Sequence, residues 1–208
     1  MRKIIVLFIG MMTSLTAVAQ TKMTKAEVAV FKQAVETEAK KMTSLASDFE
    51  ETKYVKVLKN SSKSTGIFRY KNDKLLWQYN APKKSALLFL GNKMTMKSDK
   101  GRVSTIDLNK NKRFRQLQQL MMASYNGTVF DEDNFTINYF KDTTQKWAVL
   151  TPKSKDMGKH IKEVTFWFKN GENAVSEIKI VENNDDYSVI RLMNRKINET
   201  ISDNVFQL

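Results

Sequence analysis

The sequence predicts a mainly β fold: a curved antiparallel sheet forming an incompletely closed β-barrel, with an N-terminal helix and a mid-chain helix plugging one opening. Three observations carry this. First, about ten short apolar or aromatic runs are separated by turn-forming residues. The clearest set lies between Gly66 and Met96, where runs at Ile67–Tyr70, Leu75–Tyr79, Ala86–Leu90 and Met94–Met96 are broken by Lys-Asn-Asp, Asn-Ala-Pro and Gly-Asn-Lys, giving a four-strand meander. Second, helical periodicity occurs in only two places, after Thr24 and after Phe114. Third, the meander is apolar beyond what one buried face needs. Leu75, Trp77 and Tyr79 share one side of their strand, while Leu87 with Phe89 and Leu88 with Leu90 make the next strand apolar on both.

The chain opens with Arg2-Lys3, an apolar run Ile4–Met12 and the small-x-small triplet Ala17-Val18-Ala19 before Gln20. That is the pattern of a secretory signal peptide over residues 1–19, too short in its apolar part for a spanning helix, which needs about 20 residues. Residues 20–208 are then expected to form a single exported domain. Thr24 and Glu27 fit a T-x-x-E capping box, and Val28, Phe31, Val35, Ala39 and Met42 follow at helical spacing. Alternation over Leu45–Leu58 predicts a long first strand, and Asn60–Ser64 reads as the turn into the meander. Ser98–Gly101 predicts a hairpin turn and Val103–Leu108 a strand. Phe114, Leu117, Gln118, Met121 and Tyr125 then predict a helix ended by Asn126-Gly127, with Leu120 and Met122 widening its stripe. The remainder predicts strands at Phe135–Phe140, Lys146–Thr151, Ile161–Lys169, Val175–Val181 and Tyr187–Arg195, with Lys169–Glu172 as the strongest hairpin signal.

Of 208 residues, 35 are Lys or Arg and 22 Asp or Glu, a formal net charge of +13. Such an excess suits anionic polymers or lipid headgroups, but the charges are spread, and without a long basic run or zinc-type spacing nucleic acid is not the expected partner. The sequence contains no cysteine, which excludes disulfides, thiol catalysis and a lipid-modified N-terminal cysteine. His160 is the single histidine and has no nucleophile or orienting carboxylate in a recognisable motif around it. Asp131-Glu132-Asp133 and Asp185-Asp186 lack the alternation and glycine of a calcium loop. No phosphate-binding, nucleophile-elbow or zinc-protease motif is present, so an enzyme is not expected and no cofactor is implied. The 12 Phe, 11 Met, 6 Tyr and 3 Trp instead suggest an internal apolar pocket, and adjacent Met121 and Met122 on a helix interrupting a β chain suggest an adaptable cover.

Gly66, Leu75, Trp77, Tyr79, Pro82 and Gly91-Asn92-Lys93, together with Ser47-x-Phe49, Leu150-Thr151-Pro152-Lys153 and Ile201–Phe206, resemble periplasmic lipoprotein carriers of the LolA family. The resemblance implies a carrier that takes acyl chains of lipoproteins from an inner-membrane ABC-type exporter and delivers them to an outer-membrane acceptor, as a monomer with transient membrane contact. It implies that the mid-chain helix is a lid across the barrel mouth. The expected cavity lining is Leu75, Trp77, Leu88, Leu90, Phe114, Leu117, Met121 and Trp147, with Phe31 and Val35 on the closing helix. One departure stands out: where the family has Arg-Pro before the Trp strand, the arginine tying down the lid, this chain has Lys71-Asn72-Asp73. Lys71 or Arg69 is the candidate substitute. The alternatives are a relative carrying another envelope lipid or lipid precursor, and a basic module for anionic polymers.

Overall fold

The computed structural model describes residues 20–126 and 128–208, with the backbone alone for Lys112, Arg113, Leu117, Leu120, Ser124 and Asn126. The leader read over residues 1–19 lies outside the described residues. The elements in chain order are β1 (Thr21–Lys22), α1 (Lys25–Lys41), β2 (Ser44–Val55), β3 (Asn60–Lys71), β4 (Lys74–Ala81), β5 (Ser85–Leu90), β6 (Lys93–Lys97) and β7 (Val103–Asp107). There follow α2 (Lys112–Asn126), β8 (Phe135–Lys141), β9 (Gln145–Pro152), α3 (Lys155–Gly158), β10 (Ile161–Lys169), β11 (Glu177–Glu182), β12 (Tyr187–Ile197) and a 3-10 turn at Asp203–Val205.

All twelve strands form one antiparallel sheet in the order β1-β8-β9-β10-β11-β12-β2-β3-β4-β5-β6-β7. Two meanders, β2–β7 and β8–β12, are sewn together where β12 pairs with β2. The sheet curves without closing, and its free edges are β7 and the two-residue β1. Helix α2 connects β7 at one edge to β8 beside the other, so the topology itself carries α2 across the gap. The two edges that a barrel would have to pair are bridged by a helix instead.

Helix α1 begins where the capping box predicts. Glu27 N donates to Thr24 Oγ1 at 3.3 Å and Thr24 N donates to Glu27 Oε2 at 2.9 Å, satisfying two helix-end donors for a stabilisation of about 1 kcal/mol. Its apolar stripe buries Phe31, Val35 and Ala39. Phe31 meets Phe168, Phe130 and Tyr139 at ring-centroid distances of 5.0, 5.4 and 6.5 Å. Outside the stripe, Lys32 pairs with Glu132 and Glu27 with Lys141 of β8, fastening α1 to the second meander.

The sequence reading is corrected at Pro152–Gly158, read as a separator, which contains α3, and at the β2–β3 reversal. The stretch Asn60–Ser64, expected as a turn, belongs to β3, and the reversal falls at residues 56–59, where Lys59 has φ 47°. The reason is geometric: β3 pairs with β4 only from Thr65 onward. Asn60–Ser64 therefore pairs with β2 alone and is a free edge of the sheet there, exposed enough to carry turn-like polar residues. Val57 and Leu58, expected at the end of the first strand, are instead the tip of the β2–β3 hairpin, 88% and 70% exposed.

Register defines two faces. Phe68 pairs with Trp77 and Trp77 with Leu87, while Tyr70 pairs with Leu75 and Leu75 with Phe89, placing all six on the concave face. On the second meander Ala148, Phe166, Ile178 and Ile190 form the equivalent row. These rows and α1 make the main core. A smaller core lies on the convex side, where Ala46, Leu76, Ala86 and Leu88 are covered by Ile201 and Phe206 of the C-terminal segment.

Candidate functional site

The concave core is not filled throughout. Beneath α2 it leaves a cavity of about 270 Å³ whose wall includes Trp77 and Tyr79 of β4, Leu87 of β5, Phe166 of β10, Ile178 and Ile180 of β11 and Ile190 of β12. Met121 and Tyr125, one helical turn apart, form its roof. Glu51, Lys53, Glu182 and Ser188 make a polar rim. These rim residues stand near the strand ends that face the β2–β3, β4–β5 and β11–β12 turns, so the mouth opens at that end of the sheet. At the rim, Tyr79 Oη donates to Glu51 Oε2 at 2.7 Å and Lys53 Nζ reaches Glu182 Oε1 at 3.0 Å. Burial first, and the neighbouring Glu51 carboxylate second, push the Tyr79 phenol above its ordinary range.

An aromatic floor supports the wall. Phe49 lies 4.4 Å from Trp77 and edge-on to Tyr79 at 5.2 Å, and Phe68 lies 4.7 Å from Tyr125. Gly66 makes this floor possible. A Cβ there would stand 2.0 Å from the Gln78 carbonyl oxygen and 2.5 Å from Phe49 Cζ, so only glycine lets the Phe49 ring lie over the backbone. Two polar atoms in this apolar surround, Trp77 Nε1 and Tyr125 Oη, are buried with no hydrogen-bond partner among the described residues.

Two further hollows flank α2. One of about 500 Å³ is walled by Phe114, Gln116, Met157, His160 and Ile161, and shares Ile180 and Glu182 with the cavity. The other, of about 560 Å³, is walled by Gln119, Ala123, Phe130, Phe135 and Leu150, and shares Gln116 and Met157 with the first. The cavity alone falls just below the ~300–1,000 Å³ of ordinary ligand pockets. A guest of any length must therefore extend into the adjoining hollow or lift α2.

Of the residues expected to line a cavity, Trp77 and Met121 line this one and Phe114 lines the adjoining hollow. Leu75, Phe31 and Val35 belong to the same core but fill it, being 0–3% exposed and bordering none of the three hollows. Leu88 and Leu90 are corrected: one residue out of step with Leu87, they face the convex side, Leu88 under Ile201 and Phe206 and Leu90 38% exposed. Trp147 is corrected too, because it pairs with Phe140 and Trp167 on the convex face and stacks on Phe140 at 5.8 Å. The side chain of Leu117 is outside the described residues. Sequence reasoning missed Tyr79, Leu87, Tyr125, Phe166, Ile178, Ile180 and Ile190 as lining. Tyr125 was visible at i+4 from Met121, and Leu87 through its position opposite Trp77.

Neither candidate for the lid-locking arginine does that work. Arg69 Nη1 donates to the Ser47 and Phe68 carbonyls at 2.8 Å, and Lys71 Nζ donates to Ile201 O at 2.7 Å and to Asp203 Oδ1 at 3.0 Å. Both lie one residue out of step with Phe68 and Tyr70, on the convex face away from α2. Helix α2 is tied elsewhere, by Gln118 Nε2 donating to Gly91 O at 3.1 Å.

The carboxylate clusters are occupied internally. Asp131 accepts from Asn134, Glu132 from Lys32 and Tyr139, and Asp185 pairs with Lys56 and Lys162, both at 2.6 Å. Those two lysines hold the Asp185 carboxyl at about 2. His160 is exposed at the edge of the adjoining hollow. The site is an apolar space with a charged rim, chemistry suited to holding hydrocarbon.

No described helix is long and apolar enough to cross a membrane. No curated protein matches the chain. Among solved structures, it is similar to a DUF1329 family protein from Desulfovibrio piger (10% identity, 86% of this chain and 97% of that one, TM-score 0.48). It is likewise similar to a LolA superfamily protein from Nitrosomonas europaea (8% identity, 86% and 97%, TM-score 0.46) and to the lipoprotein LppX of Mycobacterium tuberculosis (13% identity, 86% and 99%, TM-score 0.48). Residues 40–208, from the end of α1 through every strand of both meanders, match the family described as outer membrane lipoprotein carrier protein LolA, and the chain belongs to that family.

Proposed function

We propose that this protein is a periplasmic carrier that shelters the acyl chains of a lipoprotein or another envelope lipid beneath α2 while they cross an aqueous compartment. The observation that carries the reading is the apolar cavity walled by Trp77, Leu87, Phe166 and Ile190 and roofed by Met121 and Tyr125. An acyl chain of about 15 methylenes exposed to water costs on the order of 12 kcal/mol at ~0.8 kcal/mol per CH₂, so a cover of this kind has a large effect to offset. Release requires reversibility, and a helix that runs from the β7 edge of the sheet to β8 is an element that can swing without breaking a strand pair. Cargo would come from an inner-membrane exporter and pass to an outer-membrane acceptor, with transient bilayer contact at both.

Within this reading two cargoes compete. Arg69 and Lys71 are engaged on the convex face rather than with α2, which favours a lid held differently from that of a lipoprotein carrier and hence a relative that moves free lipid. Mass spectrometry of material extracted from the protein purified from its native envelope decides: acylated polypeptide identifies a lipoprotein carrier, free lipid the relative. The cavity itself is tested with a fluorescent fatty-acyl probe. Trp77→Glu places a carboxylate in the apolar wall and Met121→Trp fills the space, and each is expected to abolish binding with the circular dichroism spectrum retained. Full binding by both variants overturns the proposal. Probe binding that collapses with added salt, the behaviour of a basic module on an anionic polymer, overturns it as well.

A further inference from the structure

The hollow of about 500 Å³ beside the cavity differs from it in chemistry. It borders the cavity through two shared residues, Ile180 and Glu182, and lies at the mouth end, since Ile161, where β10 starts, pairs with Glu182, where β11 ends. Its wall keeps apolar patches, Phe114 and Met157 among them, but adds Gln116, His160 and Asn183. Those three side chains have no hydrogen-bond partner among the described residues, whereas the neighbouring Asn184 side chain is spent on Asp186. The two lysines that border cavity and hollow already face carboxylates: Lys53 Nζ lies 3.0 Å from Glu182 Oε1 and Lys159 Nζ 3.4 Å from Asp156 Oδ1. Glu51 at the rim faces a hydroxyl, that of Tyr79, rather than a cation. A phosphate or carboxylate head would therefore meet like charge, which disfavours binding, while hydroxyl and amide groups would meet unspent donors and acceptors. We infer that this hollow is the headgroup subsite of an amphiphile whose tail lies in the cavity, and that it takes an uncharged, hydroxyl- or amide-bearing head in preference to an anionic one. This rests on the acyl-carrier reading and adds what that reading leaves open, the class of head and where it sits. Because Phe114 and Gln116 belong to α2, the head meets the first half of that helix and the tail the second.

The test compares probes that share one octyl tail: octyl glucoside, octyl phosphate and octane. Each is kept below its micelle concentration and equilibrated with the purified protein by dialysis, bound octane being read by headspace gas chromatography. The wild type is expected to bind octyl glucoside more tightly than octyl phosphate, by about threefold or more. Gln116→Ala and Asn183→Ala each remove one amide from the hollow and none from the cavity wall. Each is expected to weaken octyl glucoside roughly three- to tenfold, the range of one neutral hydrogen bond, and to leave octane unchanged. Octyl phosphate binding as tightly as octyl glucoside, or more tightly, overturns the preference for an uncharged head. Octyl glucoside affinity that is unchanged in both variants, or that falls in step with octane, overturns the subsite. Either result leaves the carrier reading in place. If none of the three probes binds the wild-type protein, the carrier reading falls and the subsite with it.

Discussion

At the scale of single residues, the site depends on one glycine as much as on any aromatic ring. Phe49 reaches Trp77 and Tyr79 only because Gly66, its cross-strand partner, presents no Cβ. Gly66→Ala drives a methyl group into a backbone carbonyl and a packed ring, neither of which yields cheaply. The expected cost is about 3 kcal/mol, seen as a melting temperature lower by roughly 6–12 °C. A melting curve within a degree of wild type would show that β3 and β4 shift apart more easily than this packing implies. The same residues show where sequence stops being informative. Gly66 was legible as a small residue opening a strand, yet the reason for it, a ring from a neighbouring strand lying over its backbone, is non-local and has no sequence signature.

Elements were legible where local chemistry specifies them. The Thr24–Glu27 box, the Gly101 and Gly171 turns and the 3.6-residue stripe of α2 are all local rules, and the structure places the elements where those rules put them. Face assignment was less legible, because a strand apolar on both sides gives no parity signal. Leu87 and Leu88 are equally apolar, and only the C-terminal segment packing on the convex side separates lining from outer core. Docking of α1 is likewise non-local, and it carries a pH dependence. Lys141, with Thr24 behind it, holds the Glu27 carboxyl at about 2, below its ordinary value of 4.5. A carboxylate depressed by folding stabilises the native state above its unfolded value and ceases to do so as pH falls through its folded value. Glu27→Gln is therefore expected to melt below wild type at pH 7, with the difference shrinking between about pH 4.5 and 2 and vanishing below. A difference constant across that range in paired thermal melts would mean that the Lys141 contact contributes nothing in solution.

For the whole molecule, the open sheet orders its parts by function. The mouth of the cavity, with Lys53 on its rim, lies at the end where β2 turns into β3, only a few residues short of the exposed tip Val57-Leu58. Lys56 and Lys59 flank that apolar pair, and the chain as a whole carries +13. An apolar point with basic neighbours, beside the opening that the proposed lipid cargo would use, has the chemistry to rest on an anionic bilayer and bring the mouth to it. Burying one Val or Leu side chain is worth roughly 1.5–3 kcal/mol, and each nearby lysine adds about 1 kcal/mol at an anionic surface. Replacing both Val57 and Leu58 with Ser should therefore lower binding to phosphatidylglycerol-containing vesicles by at least about tenfold. Because the tip lies outside the cavity wall, probe affinity in solution should stay unchanged, while transfer of bound probe to those vesicles should slow in step with the lost binding. Vesicle flotation and stopped-flow transfer measure the two quantities separately. Unimpaired vesicle binding by the double variant would move the bilayer contact to another surface of the sheet.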